Sequence, residues 1–144
     1  MATRRPRGCT RCAMVRGQVF EDVPRTIAHL VQTRGLRVAI YSSGSRQAQQ
    51  LIFRHTAYGD LTQHLSAYFD TKVGAKGDSA SYTDIALTLG AQADKVLFVT
   101  DMLVEAKAAA AAGLSVLLSS RPGNAPITEE HGFQVITSFE QIVV

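Results

Sequence analysis

Ser42, Ser43, Lys76 and Asp101 are the residues whose types and positions could do chemistry together. A hydroxyl pair donates hydrogen bonds to an oxyanion, a lysine offsets its charge, and a carboxylate holds a hard, oxygen-seeking cation. Phosphate plus magnesium is the combination that suits such a set. Ser42-Ser43 ends the apolar run Val38-Ala39-Ile40-Tyr41 and leads through Gly44-Ser45 into a helix-like segment, residues 46–54. An apolar run this short, rich in β-branched and aromatic residues, reads as a buried strand. Gly44 is expected to let the backbone turn sharply and approach a ligand, and Ser45 to cap the helix. Amide N–H groups and hydroxyls facing a helix N-terminus make an anion site. Each residue also has a plainer reading. The turn is an ordinary strand–turn–helix, Lys76 a solvated loop lysine, Asp101 a cap for the next helix, Glu105 a surface residue pairing with its neighbours. Convergence at one edge is what favours the chemistry.

The elements that would create that convergence follow from pattern. Asp22 is read as a helix cap with Pro24 in the first turn. Ile27, Leu30 and Val31 share a face, and Gly35 stands where a C-cap belongs. A strand is expected over residues 37–41, then the helix to about residue 54 and a polar connection over 55–60. A short strand over 68–70 precedes a loop, 71–77, carrying Lys72 and Lys76. Asp78 or Ser79 opens a helix with the stripe Tyr82, Ile85, Ala86 and Leu89, closed by Gly90. A strand over 95–100 ends at Asp101. An alanine-rich helix over 103–112, a strand over 114–118, an Arg121-Pro122-Gly123-Asn124 turn, a strand over 133–136 and a terminal helix over 139–143 complete the chain. Helices and strands alternate, and the strands are continuous apolar runs. That is the signature of a parallel sheet covered by helices on both faces. Ligands of such sheets lie beyond the carboxyl ends of the strands, where Ser42, Ser43 and Asp101 fall and where the Lys76 loop should open.

At 144 residues the chain suits one domain with a real core. Its net charge of +3 is unevenly placed. Arg4, Arg5, Arg7, Arg11 and Arg16 all precede the first acid, Glu21, and the remainder holds ten basic against twelve acidic residues. Residues 1–16 are therefore expected to be a basic, disordered tail, with the folded domain over 17–144. A nucleic-acid-binding face is not indicated, and no membrane partner is expected. No apolar run reaches transmembrane length, and no apolar segment near the start resembles a secretory signal. A cytoplasmic location is expected, with the nucleus also open. The Arg-rich start lacks the hydroxyls and apolar face of a mitochondrial transit peptide. Cys9 and Cys12 form one C-x-x-C without the second ligand pair of a zinc site, and read as two incidental free cysteines.

Taken in order, Tyr41-Ser42-Ser43-Gly44-Ser45, Gly59-Asp60-Leu61, Phe69-Asp70-Thr71-Lys72-Val73-Gly74, Thr100-Asp101 with Glu105-Ala106, Arg121-Pro122-Gly123-Asn124-Ala125 and Ile136-Thr137-Ser138-Phe139 resemble one family. They are similar to the haloacid-dehalogenase-like phosphatases, and within them to the enolase-phosphatases (acireductone synthases) of methionine salvage. The similarity spans roughly residues 17–142. It implies an α/β, Rossmannoid parallel sheet with helices on both faces. It implies that Ser42, Ser43 and Gly44 bind the substrate phosphate, that Lys76 stabilises the phosphoryl group and an aspartyl-phosphate intermediate, and that Asp101 ligates Mg2+. The substrate would be a small diketo phosphopentane, enolised and then dephosphorylated to an acireductone.

The departure from the family pattern matters as much. The family's first motif is a strand ending in an aspartate nucleophile with a second acid two residues on, followed by a helical cap. Asp22 follows no apolar strand, and Lys72 stands where Asp70 would need its second acid, so neither is read as the nucleophile. The chain is expected to lack the first, central strand and most of the cap, as an N-terminally truncated homologue would. Strands 37–41 and 95–100 would then lose their shared neighbour and expose backbone edges open to self-association. They would close on each other, or residues 14–20 would fill the gap. Such a chain is expected to be marginally stable and weak or inactive as a phosphatase. The alternative is a non-catalytic phosphate-binding or regulatory module that pairs with a full-length homologue. A receiver-like phosphoacceptor domain fits less well, because Tyr41-Ser42-Ser43 stands where an acidic pair is needed.

Overall fold

A computed structural model describes residues 17–142. Helix α1 (Asp22–Gln32) leads to β1 (Val38–Tyr41), α2 (Arg46–Arg54), β2 (Leu65–Phe69), α3 (Ser79–Leu89), β3 (Leu97–Thr100), α4 (Leu103–Ala111), β4 (Ser115–Ser119) and β5 (Gln134–Ile136). Short 3-10 turns stand at Thr62–His64, Ala93–Lys95 and Phe139–Gln141. The basic tail with Cys9 and Cys12, and the last residue of the expected terminal helix, lie outside the described residues.

Local chemistry accounts for most boundaries. Ser45 Oγ accepts from the Ala48 N–H at 3.2 Å and starts α2. Asp78, the cap of α3, accepts from the Ala80 N–H at 2.9 Å. Gly90, at φ +62°, closes α3 by donating to the Ala86 and Leu87 carbonyls. Gly35, at φ +64°, lies just past the C-cap of α1, and the Leu36 N–H returns to the Leu30 carbonyl at 3.0 Å. Strand β2 begins at Leu65, earlier than its apolar signal, because pairing with β1 extends it: Val38 stands opposite Leu65. Lys95 is drawn instead into a 3-10 turn before β3.

Three expectations are corrected. Asp22 does not cap α1. The N-cap is Glu21, without a side-chain bond, and the Asp22 carboxylate is turned to the other end of the chain. Gly44 is not in the left-handed region, and a Cβ there would meet only Ser42 Oγ at 3.7 Å, so the sharp turn does not require glycine. The third concerns the sheet, which is divided. Strands β1 and β2 form one parallel pair, and β3, β4 and β5 a second parallel sheet in that order. Among the described residues β1 and β3 do not close on each other. Gly17 bridges to Thr56 rather than entering the space between them.

Among the described residues each of β1 and β3 therefore pairs on one side only. Val38–Tyr41 are all half-buried, as are Leu97, Phe98 and Val99, although their composition suits burial on both faces. Side chains hold the two sheets together. Tyr82 of α3, 1% exposed, packs edge-on against Tyr41 of β1 at 5.6 Å and against Phe98 of β3 at 4.9 Å between ring centroids. Such aromatic pairs add to ordinary apolar burial. Ala108, Ala109 and Leu114 complete this core. Alanines on α4 let it approach α3 closely. A second tie joins the chain ends: Arg121, after β4, forms a two-pronged ion pair with Asp22, whose carboxylate also accepts from Ser138 Oγ and the Phe139 N–H.

Candidate functional site

Parallel pairing puts the carboxyl ends of β1 and β2, with Ser42 and Asp70, at one edge, and the Lys76 loop, touching Tyr41 and bonded to Glu105, ties the end of β3 with Asp101 to it. The Ser42–Gly44 turn is tightly tied. The Ser42 N–H donates to the Phe69 carbonyl at 3.0 Å, and Ser42 Oγ accepts from the Gly44 N–H at 3.2 Å. Ser43 is exposed. It lies in the turn two residues before Ser45, the N-cap of α2.

Lys76 reaches this edge through its loop. Gly74, at φ +146°, makes the bend, and its carbonyl accepts from Tyr41 OH at 2.9 Å. Tyr82 OH donates to the Lys76 carbonyl at 2.6 Å, and Ser81 Oγ to that of Ala75 at 2.7 Å. The loop is thus bound to β1 on one side and α3 on the other. Lys76 Nζ stands 5.6 Å from the centroid of the Tyr41 ring, one residue from Ser42. It donates to Glu105 Oε1 at 2.8 Å. The plainer reading of Lys76 as a solvated lysine fails: its side chain is 26% exposed.

Glu105 is not a surface residue either. It lies in the first turn of α4, buried, with Oε2 accepting from Thr100 Oγ1 at 2.7 Å. Thr100 Oγ1 in turn accepts from the Met102 N–H at 3.1 Å. Asp101 follows Thr100 and does not cap α4, whose N-cap is Met102 without a side-chain bond. The Asp101 carboxylate, exposed, accepts from Asn124 Nδ2 at 2.9 Å. Asn124 is presented by the Arg121–Asn124 turn, closed by the Asn124 N–H on the Arg121 carbonyl at 3.0 Å and by Asn124 Oδ1 accepting from the Arg121 N–H at 2.7 Å.

A continuous set of contacts therefore links the sequence-derived residues: Ser42 to Tyr41, Tyr41 to Lys76, Lys76 to Glu105, Glu105 to Thr100 and so to Asp101. Burial raises the Tyr41 hydroxyl above its ordinary pKa, so it remains the neutral donor that its bond to Gly74 needs. A cleft of about 270 Å³ is lined in part by Arg46, Asp70, Lys72 and Thr88, and not by Ser42, Ser43, Lys76 or Asp101. Asp70 Oδ1 accepts from the Lys72 N–H at 3.0 Å, and Asp22 belongs to the Arg121 pair. Both carboxylates thus accept hydrogen bonds within the fold.

Sequence reasoning missed Gln49 and Asn124 and left Glu105 undecided. Gln49, 2% exposed, donates from Nε2 to the Gly44 and Phe69 carbonyls. A faint signal was available, because Gln49 precedes Phe53 by one helical turn, where an apolar residue is expected. Glu105 stands four residues after Asp101, on a helix otherwise rich in alanine, which is an odd place for a carboxylate without a partner. Nothing local marks Asn124 beyond its turn composition.

A family model described as haloacid dehalogenase-like hydrolase matches residues 5–113. The probable bifunctional methylthioribulose-1-phosphate dehydratase/enolase-phosphatase E1 of Oryza sativa subsp. indica is 50% identical over 129 residues, which are 89% of this chain and 25% of that protein. Its counterpart from Arabidopsis thaliana is 49% identical over 132 residues, 91% of this chain and 26% of the other. This chain spans about a quarter of the length of these curated relatives. Among solved structures, the UTR4 (unknown transcript 4) protein of Saccharomyces cerevisiae superposes with a TM-score of 0.80 at 36% identity, over 89% of this chain and 59% of that one. The L-2-haloacid dehalogenase of Xanthobacter autotrophicus, at TM-score 0.67 and 21% identity over 83% of this chain and 57% of its own, shares the fold.

Proposed function

This chain belongs to the haloacid dehalogenase-like hydrolases, and from that membership we propose that its Ser42–Lys76–Asp101 edge binds a phosphorylated small molecule together with magnesium. The substrate class follows the similarity to enolase-phosphatase E1: a diketo phosphopentane of methionine salvage, enolised and dephosphorylated to an acireductone. The observation that carries the reading is the placement of Lys76 Nζ, held by Glu105 at 2.8 Å over the Tyr41 ring. Its ammonium is thereby held over the ring of the residue that precedes Ser42.

The chemistry of the donor set suits magnesium held jointly with phosphate. Among the described residues no group of three His, Cys, Asp or Glu side chains could enclose a metal. Magnesium needs no such cage, since it is commonly held by one or two carboxylates plus waters and phosphate oxygens. Asp101 supplies the carboxylate, steadied by Asn124. When bound, the ion would neutralise phosphate charge. The local charges favour this: Lys76 is already paired with Glu105, so Asp101 adds uncompensated negative charge that a phosphate would meet.

Ser42 and Ser43 would donate to the phosphate oxygens, Gly44 would leave the turn uncovered, and Lys76 would offset charge on the transferring group. Transfer through an aspartyl phosphate also needs a carboxylate nucleophile, and among the described residues no further strand stands between β1 and β3 to carry one. Binding with at most residual turnover is therefore expected of this chain alone. The inner edges of β1 and β3, which have no strand partner among the described residues, favour a second reading, a module that pairs with a full-length homologue or with itself through strand addition. The test is calorimetric titration with inorganic phosphate in magnesium buffer, beside an aryl phosphate hydrolysis assay. Saturable binding that Lys76→Ala and Ser42→Ala abolish, with trace turnover, is expected. Rapid magnesium-dependent hydrolysis by this chain would overturn the binding-module view, and absence of phosphate binding would overturn the site.

A further inference from the structure

We propose that Gln49 is a positioning residue that holds the Ser42–Gly44 turn in its anion-accepting form, an inference that rests on the phosphate reading above. Gln49 is 2% exposed and lies in the first turns of α2. Its Nε2 donates to two carbonyls, those of Gly44 and Phe69, each at 2.8 Å. The Phe69 carbonyl also accepts from the Ser42 N–H at 3.0 Å. One side-chain amide thus clamps the turn after β1 to the end of β2. Phe69 leads directly into the loop that carries Lys76, so the same clamp sets the two anion-binding segments relative to each other.

The direction of the bonds matters. An anion site must present N–H and O–H groups, and a carbonyl oxygen turned into it repels the ligand. Gln49 keeps the Gly44 carbonyl occupied, while Ser43 stays exposed. The arrangement carries a cost. Gln49 Oε1 is buried with no hydrogen-bond partner among the described residues. The two bonds donated by Nε2 stabilise the turn, and the orphaned oxygen offsets part of that gain, so a buried glutamine here departs from ordinary apolar packing. Departures from local rules of this kind cluster at functional sites.

Gln49→Met keeps the length of the side chain and removes both donors. In the full chain, titrated with inorganic phosphate in magnesium buffer, it is expected to bind roughly ten-fold more weakly than wild type, about what one or two lost hydrogen bonds convert to, with its melting temperature modestly lowered because the Gly44 carbonyl loses its donor. Gln49→Glu, which offers an acceptor where two carbonyls need donors, should bind more weakly still. Phe53→Leu on the same helix is the stability control. Three results separate the possibilities. A wild type that takes no phosphate overturns the phosphate reading and this inference with it. A wild type that binds, with Gln49→Met binding equally well, overturns the role of Gln49 alone. Loss of affinity in Phe53→Leu equal to that in Gln49→Met, at matched melting temperature, shows that Gln49 acts only through general stability and also overturns its positioning role.

Discussion

Lys76–Glu105 and Lys107–Glu129 are two lysine–glutamate pairs of nearly equal length, 2.8 and 2.9 Å, in very different surroundings. The side chains of the first are 26% and 10% exposed, those of the second 55% and 71%. The proposed site depends on the first being a fixed feature of the fold. At an effective dielectric near 20, unit charges about 4 Å apart attract by roughly 4 kcal/mol. Withdrawing both groups from water cancels a large part of this, which leaves a net coupling of about 1.5–3 kcal/mol for Lys76–Glu105. The exposed pair is screened and has side-chain entropy to lose, so its coupling should be about 0.5 kcal/mol or less. Double-mutant cycles measure both: Lys76→Met with Glu105→Gln, and Lys107→Met with Glu129→Gln, each read by urea denaturation. The single changes should also be unequal, with Lys76→Met costing more than Glu105→Gln because it strands the more deeply buried partner. Equal coupling in the two cycles would refute the argument, since Lys76 would then be as loosely held as any surface lysine.

The Asp22–Arg121 pair, with side chains 13% and 11% exposed, should make Asp22→Asn cost about 3 kcal/mol, since it leaves a largely buried guanidinium without its counter-charge; thermal melts would show this. The hydrogen bond from Arg121 holds the Asp22 carboxyl well below the usual carboxylate range. Its stabilisation is therefore complete above the unfolded value of about 3.9 and is lost as the pH falls through the folded one. Wild type should consequently lose stability below about pH 4 more steeply than Asp22→Asn, and parallel acid profiles would show the pair to be unimportant. Gly74→Ala should destabilise by about 2 kcal/mol or more, because φ is +146° and the new Cβ would run into Ser81 Oγ. The same change should loosen Lys76, since the Gly74 carbonyl anchors the loop to Tyr41, and a melt indistinguishable from wild type would contradict it.

Much of this molecule is legible from local rules. Continuous apolar runs such as Val38–Tyr41, helical spacing in Tyr82, Ile85 and Ala86, and the stops at Gly35, Gly90 and Gly113 determine the order and type of the elements. Ser45 and Asp78 determine where two helices begin. Alternation of strand and helix determines that the pairing is parallel, which places Ser42 and Asp101 at the carboxyl ends of their strands. These inferences succeed because each depends on residues within a few positions of one another.

What the sequence left open depends on contacts between distant segments. Whether Asp101 caps a helix or stays available is decided by Asn124, 23 residues away. Whether Lys76 is solvated or fixed is decided by Glu105, 29 residues away. Asp22, locally a good cap, is claimed by Arg121, 99 residues away, because a guanidinium and two further donors outweigh one first-turn N–H. That the strands over 37–41 and 95–100 lack a shared neighbour was legible from the missing first motif, whereas the Tyr41–Tyr82–Phe98 stack that spans them is seen only once α3 is in place. Periodicity and caps act along the chain and so are written in it; charge pairing and burial act through space and are settled only when the chain has folded.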